Sequence, residues 1–599
     1  MSKSLWKKRA VVGAITLAFA SLTGVATGAE RAWVAKSNDN AKLLLDLMVK
    51  YSPESATQLG VDGYDEMITD MSHDLYDASV KDTNAVVAEL QKRKRAETDP
   101  KIRQDLDILI GTAHNQLTSN ALQRKLMLPY QDLNQLLFGV VHQILDPRVP
   151  KERQKSLVVR LQKYAGLSKG YRPITELAQE RTQERLNANP KLLGPYKAEL
   201  MQSLDDGPTL LKGIKDELEK SGLEGWQPAF AALEKQLTSY NESYVRKTLL
   251  PLARADHRLP PEIYADNLHQ FGVDISPQEL ISKALTSFSE IRNQMNITAG
   301  LIAKERNLPD ADYRAVMREL KQQQIPLDKV MPLYQERLSQ IEAAVREHKI
   351  VTLPERQTKI RLASQAENAA QPAPHMNPPR LVGNTGEYGE FVLTTGMPPD
   401  ASGKSKVFDD FTHQAGTWTL TAHEARPGHE LQFAKMIETG VSTARGVFAF
   451  NSVNVEGWAL YAEAEMQQYE PLDGQLFALQ ARMQRAARAF LDPMVNLGGI
   501  TPEGVKSFLM DEVGLSEGMA TQEMQRYTFR APGQATSYFY GYQRLMETRQ
   551  AAEVALRKKF DRKAFNDFVL SQGLVPPTVL HKAVMEEFVP AQGKQVAQN

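Results

Sequence analysis

Cysteine is absent from all 599 residues. That excludes structural disulfides, thiolate zinc sites, iron–sulfur ligation, a cysteine nucleophile and a lipid-modified N-terminal cysteine together. Any metal must then be held by His, Asp or Glu. An excess of either charge is missing as well, with 72 Lys+Arg against 72 Asp+Glu, so there is none of the basic surplus that nucleic-acid binding demands. Past residue 29 no apolar run is long enough to span a membrane. What remains is ordinary: 42% hydrophobic and 24% charged residues, in a chain able to bury a large core as several domains or as one big helical domain.

The N-terminus is the first informative segment. Residues 1–9 carry Lys3, Lys7, Lys8 and Arg9 and no acid, while Ala10 to Ala29 is uncharged and ends in the small residues Gly24-Val25-Ala26-Thr27-Gly28-Ala29. A basic start, an uncharged middle and a small-residue end form the pattern of a cleaved secretory signal peptide over 1–29; an uncut anchor is the alternative. Cleavage after Ala26, Gly28 or Ala29 would release a slightly acidic protein into the periplasm or the medium, where a chain without cysteine cannot be misbridged.

From about Asn38 to about Lys349, apolar residues recur at spacings of three and four within charged sequence, as in Leu210-Leu211-Ile214-Leu218. This is helical periodicity. Breaks are expected at Asp146-Pro147, Asn189-Pro190, Gly207-Pro208, Leu259-Pro260-Pro261 and Ser276-Pro277. The composition shifts over 351–400, where Pro354, Pro372, Pro374, Pro378, Pro379, Pro398 and Pro399 accompany the short extended runs Ile360 to Leu362 and Glu390 to Thr395. Prolines this dense forbid a long helix, and a small sheet is the expected product. Helical periodicity resumes near Thr419 and continues nearly to Val589. The organisation read from this is one large mainly α-helical domain over 30–592, with an N-terminal helical part, the proline-rich sheet segment and a C-terminal helical part from 401, followed by a flexible tail over 593–599.

The chemistry is concentrated in Thr421-Ala422-His423-Glu424-Ala425-Arg426-Pro427-Gly428-His429-Glu430-Leu431-Gln432. Two His one turn apart with an adjoining Glu form the zinc-peptidase helix, in which the Glu activates water. Here the spacing is six, so His423 and His429 would stand about 120° apart on a regular helix and could not share an ion. Pro427 lies four residues after His423, where its ring and missing N–H disrupt the helix. A kink or bulge is expected, with Gly428 permitting the unusual backbone, possible only if the extra residues loop out so that both imidazoles meet. Taken alone, the cluster is equally consistent with hydrogen-bonded structural His residues.

A second cluster favours the metal. Glu456 and Glu463, seven apart in Val455-Glu456-Gly457-Trp458-Ala459-Leu460-Tyr461-Ala462-Glu463, share a helix face with Leu460, and Asn451, Ser452 and Asn454 are available near the helix start. A carboxylate on an apolar face is costly unless a cation meets it. His423, His429 and Glu456 would make a two-His, one-carboxylate zinc set with a free fourth position. A solvated Glu pair is the alternative. Farther on, Pro532-Gly533 opens a helix on which Tyr538 and Tyr542 share a face. A tyrosine hydroxyl opposite a metal could donate to a developing oxyanion.

These residues resemble a large bacterial family named domain of unknown function 885, regarded as zinc metallopeptidases. Its hallmark His-Glu-x-x-Pro-Gly-His followed by Gln is similar to His423, Glu424, Pro427, Gly428, His429 and Gln432. Its Glu-Gly-Trp-Ala block matches Glu456 to Ala459, and its Arg-Tyr and Pro-Gly-Gln-Ala-x-Ser-Tyr blocks match Arg526, Tyr527, Pro532 to Ala535, Ser537 and Tyr538. Arg488 and Asp492 match a further Arg and Asp pair, and Ser52 to Asp65 resembles family openings. The chain departs from the family after Asp492, reading Pro493-Met494-Val495-Asn496-Leu497-Gly498 where many members have Gly-x-His.

The resemblance implies a mainly α-helical fold with a deep channel, similar to helical peptidases of the thimet and Taq type. It implies one Zn²⁺ per chain on His423, His429 and Glu456, with Glu424 as general base. Tyr538 would be the first choice of oxyanion donor and Tyr527 the second, and Arg488, Arg526 and Gln534 would bind substrate. The strand around Phe391 to Thr395 could pair with an extended peptide as an edge strand does. The reading is an exported zinc peptidase acting on peptides. A metal-free helical protein that binds peptides or cell-wall fragments, and a zinc hydrolase of non-peptide amides, are the alternatives.

Overall fold

The computed structural model describes residues 32–394 and 407–595; the signal segment of 1–29 and the end of the expected strand at Thr395 lie outside the described residues. The protein is mainly α-helical with one small sheet. Helices used below are numbered in chain order: α1 (Ala32–Tyr51), α2 (Tyr76–Ala96), α3 (Pro100–Leu126), α4 (Leu133–Leu145), α5 (Lys197–Ser221) and α6 (Pro277–Arg306) precede the sheet. After it come α7 (Thr417–Glu424), α8 (His429–Thr439), α9 (Ser452–Met466), α10 (Leu472–Asn496), α11 (Glu517–Gln525) and α12 (Thr536–Leu556).

Local chemistry sets many of the boundaries. Asp99 accepts from the backbone N–H of Lys101 and caps α3, Asp132 does the same for α4 through Gln135, and Ser276 caps α6 just before Pro277. One expected break is not there: α5 runs unbroken through Pro208. Proline removes a single ladder bond, and the buried Leu200, Leu204, Leu210 and Ile214 on either side of it seat α5 in the same apolar cluster as Leu133, Leu137 and Val141 of α4. Tertiary packing outweighs the local defect.

The sheet has the order β1-β3-β2, with β1 (Lys359–Leu362) parallel and β2 (His375–Asn377) antiparallel to β3 (Glu390–Leu393). β3 is therefore the central strand, with Phe391 opposite both Ile360 and Met376. The edge-strand role expected for Phe391 to Thr395 is thus corrected, because both sides of β3 are already paired. At the C-terminus the last helix, Val589–Gln595, takes in the first residues of the tail expected over 593–599; 596–599 lie outside the described residues.

The N-terminal and C-terminal parts share cores. Ala41 of α1, Leu90 of α2 and Leu109 of α3 pack with Ala444 and Phe448. Asp105, 1% exposed on α3, accepts from Ser37 at 2.6 Å, Ser442 at 2.6 Å and Arg445 at 2.7 Å. A buried carboxylate is tolerable on such terms, since donors and a guanidinium replace its lost hydration. No helix among the described residues is long and apolar enough to cross a membrane.

Candidate metal centre

His423 and Glu424 are the last residues of α7, and His429 is the first of α8. The chain does not kink or bulge one helix, as the sequence suggests. It ends a helix, runs through the linker 425–428 and begins another. Gly428 has φ −78° and ψ −131°, so a left-handed conformation is not why glycine stands there. A Cβ at this position would overlap the carbonyl oxygens of His423 and Ala422, and only glycine permits that approach. The linker is fixed from both sides: buried Arg426 pairs with Glu430 at 2.7 Å and Glu342 at 2.8 Å, and Trp458 Nε1 donates to the Pro427 carbonyl at 3.0 Å.

The consequence is that the imidazoles of His423 and His429 meet, with ring centroids 4.7 Å apart and planes at 83°. Glu456 reaches them from α9, its Oε2 lying 3.3 Å from His429 Nε2 and 3.7 Å from His423 Nε2. One ligand atom from each of the three residues falls within 4.8 Å of the others, so the group could hold a metal ion. Tetrahedral zinc with bonds of ~2.0–2.1 Å puts neighbouring donors about 3.3–3.4 Å apart. The three residues fit such an ion with little adjustment.

The surroundings prepare the donors. Glu463, two turns beyond Glu456 on α9, accepts from His423 Nδ1 at 2.5 Å and from Thr419 Oγ1 at 2.7 Å. A carboxylate can only accept, so in the neutral ring the proton sits on Nδ1 and Nε2 keeps its lone pair toward Glu456. Burial works against charge on Glu463, but Arg485 at 3.3 Å and His423 hold its carboxyl below the usual range. Glu456 behaves likewise: burial would raise it, and the two imidazoles hold it well below its ordinary value. Its Oε1 lies 3.4 Å from the Gln534 amide, while its buried Oε2 has no hydrogen-bond partner. A buried carboxylate oxygen without a hydrogen-bond partner, facing two imidazoles, suits a cation.

A cavity of about 860 Å³ opens beside this cluster, and Glu424, His429, Glu456, Arg526, Gln534 and Tyr538 line it. Burial pushes the Glu424 carboxyl up to about 8. Gln534, expected to bind substrate, reaches the cavity, but its amide is engaged with Ser452 Oγ at 2.8 Å and with Glu456. Arg526 Nη2 donates to Tyr538 Oη at 2.9 Å and also to Gln534. Two expected site residues are not on the cavity. Tyr527 is 0% exposed and donates its hydroxyl to Glu523 at 2.7 Å, and Arg488 makes a two-pronged pair with the same Glu523 at 2.7 Å each. Tyr542, four residues after Tyr538, packs with the core around Trp458 and Leu545 instead.

Two contributors escape sequence reasoning. The seven-residue spacing puts Glu463 on the face of Glu456 but cannot say that it meets Nδ1 of His423. Gly457 and Gly541 are the other pair: a Cβ on Gly457 would come within 2.5 Å of the Gly541 backbone, so α9 and α12 touch backbone to backbone and bring Glu456 and Tyr538 to one cavity.

Residues 53–584 match the family described as bacterial protein of unknown function (DUF885). The chain belongs to this family. Two solved structures are similar over most of the chain. One is a candidate lipoprotein from Colwellia psychrerythraea, 18% identical with a TM-score of 0.72, covering 93% of this chain and 100% of its own. The other is a candidate lipoprotein of unknown function from Shewanella oneidensis, 19% identical with a TM-score of 0.68 and the same coverage. At these identities the likeness is one of fold. No curated protein matches the chain.

Proposed function

We propose that this DUF885 protein is an exported zinc-dependent peptidase, folded as a single large helical domain once its signal segment is removed. The observation that carries the reading is the convergence of His423 Nε2, His429 Nε2 and the orphaned Glu456 Oε2, with the His423 tautomer fixed by Glu463. Zinc held there would act as a Lewis acid toward a peptide carbonyl and lower the pKa of water from ~16 toward ~7.

The chain's own residues supply the remainder. Glu424 lines the same cavity; a cation at the site would offset the burial that raises its carboxyl and keep it ionised, so that it takes a proton from the attacking water and hands it to the departing amine as the C–N bond breaks. Arg526 has no acceptor to offer, so it occupies a lone pair of Tyr538 Oη and leaves the phenolic hydrogen free for a developing oxyanion. Tyr527 has no such freedom, its hydroxyl being committed to Glu523. An extended peptide would lie along β2 rather than β3, since β2 is an edge strand whose His375 and Met376 line the cavity.

The test is metal analysis of the purified mature protein together with a broad peptide library. About one zinc per chain and cleavage of some peptides are expected. Glu424→Gln should keep zinc and peptide binding while losing about 10²–10⁴ in turnover. Zinc-loaded wild type that binds peptides and cleaves none would overturn the reading in favour of a binding protein.

A further inference from the structure

Arg488 resembles a substrate-binding residue in the sequence, yet it is 4% exposed and does not line the cavity. Its guanidinium lies 4.4 Å from the centre of the Tyr538 ring. Both prongs are held by Glu523 at 2.7 Å, and Glu523 Oε2 also accepts from Tyr527 at 2.7 Å. Glu523 and Tyr527 are both 0% exposed. Three separate elements are joined by this chain of contacts: Arg488 on α10, Tyr538 on α12, and Glu523 on α11 with Tyr527 one turn beyond it. A guanidinium fixed as a planar fork can stack on an aromatic ring in one orientation, which a flexible ammonium cannot do. Around the same ring, Arg526 holds the hydroxyl end and the His423 imidazole stacks at 6.1 Å and 14°.

We propose that Arg488 is a positioning residue for Tyr538, clamped by Glu523 and Tyr527 so that the Tyr538 hydroxyl stays aimed into the cavity; the catalytic consequence rests on the peptidase reading above. Arg488 touches neither substrate nor metal. It acts by removing the freedom of a ring whose hydroxyl must meet a reacting oxygen, where a displacement of ~1 Å costs about 10²-fold in rate. Gln534 and Arg526 line the cavity, with Gln534 engaged by Ser452 and Glu456 and Arg526 by Tyr538.

The experiment uses the full mature protein carrying 3-fluorotyrosine at position 538, with bound zinc, the ¹⁹F spectrum and peptide hydrolysis read in parallel. Arg488→Met leaves Glu523 paired with Arg526 Nη1 at 3.5 Å, so this single variant is the main one, and Arg488→Met with Glu523→Gln is made beside it to separate loss of the ring contact from a change in buried charge. Zinc content should stay as in wild type, while the single ¹⁹F resonance of the clamped ring broadens or splits. In kinetics, kcat should fall about 10²-fold with KM little changed, and adding Tyr538→Phe should cause no further loss, because both changes remove one function. Arg488→Lys should recover only part of the rate. An unchanged ¹⁹F resonance, losses that multiply with Tyr538→Phe, or a raised KM at constant kcat would each overturn the proposal. If wild type cleaves no peptide, the peptidase reading falls while the ¹⁹F comparison still decides whether Arg488 positions the ring.

Discussion

Helices α2 and α9 are built on different rules. α2 has 21 residues and buries two of them, Val87 and Leu90. α9 has 15 residues, and its buried set takes in Ser452, Glu463 and Glu465 as well as Trp458, Leu460 and Tyr461. In α2 the apolar stripe faces α1 and α3 and the charges go to water, as at Lys92 and Glu89, which pair at 3.7 Å in the open. In α9 there is no solvated face to receive the carboxylates, so each must find a partner inside: Glu463 on His423 and Arg485, Glu465 on Arg549. An amphipathic helix carries structure alone. A helix buried all round that still carries charge is where chemistry can be held, because desolvation makes each polar contact strong and each omission costly.

The contrast is sharpest at the candidate metal ligands. His423→Ala or Glu456→Ala should abolish zinc binding, read by metal analysis, since only two of the three donors remain. A substitution of similar size in α2 should do the opposite. Leu90→Ala should cost ~2–5 kcal/mol of stability by denaturant titration through the cavity it leaves, with zinc content unchanged. If Leu90→Ala released zinc, the two regions would not be separable in the way their burial suggests.

Gly428→Ala tests the linker. Its Cβ would overlap the carbonyls of His423 and Ala422, so we expect ~1–3 kcal/mol of destabilisation together with weaker zinc binding, measured by competition with a chelator. Equal zinc affinity would mean that the two His can meet without this close approach. The smallest effect concerns another histidine, His142, remote from the candidate metal site. Burial would depress His142, but Glu217 at 2.8 Å and Glu367 at 3.1 Å overcome this and raise it to about 10. Since the folded value lies above the ordinary ~6.5, the stabilisation is fully present below pH ~6.5 and is lost as pH rises through about 10. His142→Gln should therefore be less stable than wild type by about 1 kcal/mol at neutral pH, with the gap closing in alkaline unfolding experiments and a pH-independent gap excluding this ion pair as its source.

Much of this was legible in the residues. Helical periodicity, the break at Ser276-Pro277, the proline-dense interruption and the His-Glu and Glu-Gly-Trp segments follow from local rules of spacing and backbone geometry, which act within a few residues and need no partner. The absence of cysteine narrowed any metal donors to His, Asp and Glu. Other features were decided only by the tertiary structure, because they depend on elements far apart in sequence coming together. Pro208 stays helical because α4 supports it. β3 is central because β2 covers one edge and β1 the other. Gly428 is glycine because of the carbonyls behind it, not because of its own φ. Arg488 and Tyr527 are kept off the cavity by their hydrogen bonds to buried Glu523. The Nδ1 of His423 finds Glu463 because α7 packs on α9, and Glu456 and Tyr538 share a cavity because Gly457 and Gly541 let α9 and α12 touch. Sequence spacing fixes which side chains share a face, but which face meets which is set by packing, and the positions of buried charges follow from that packing.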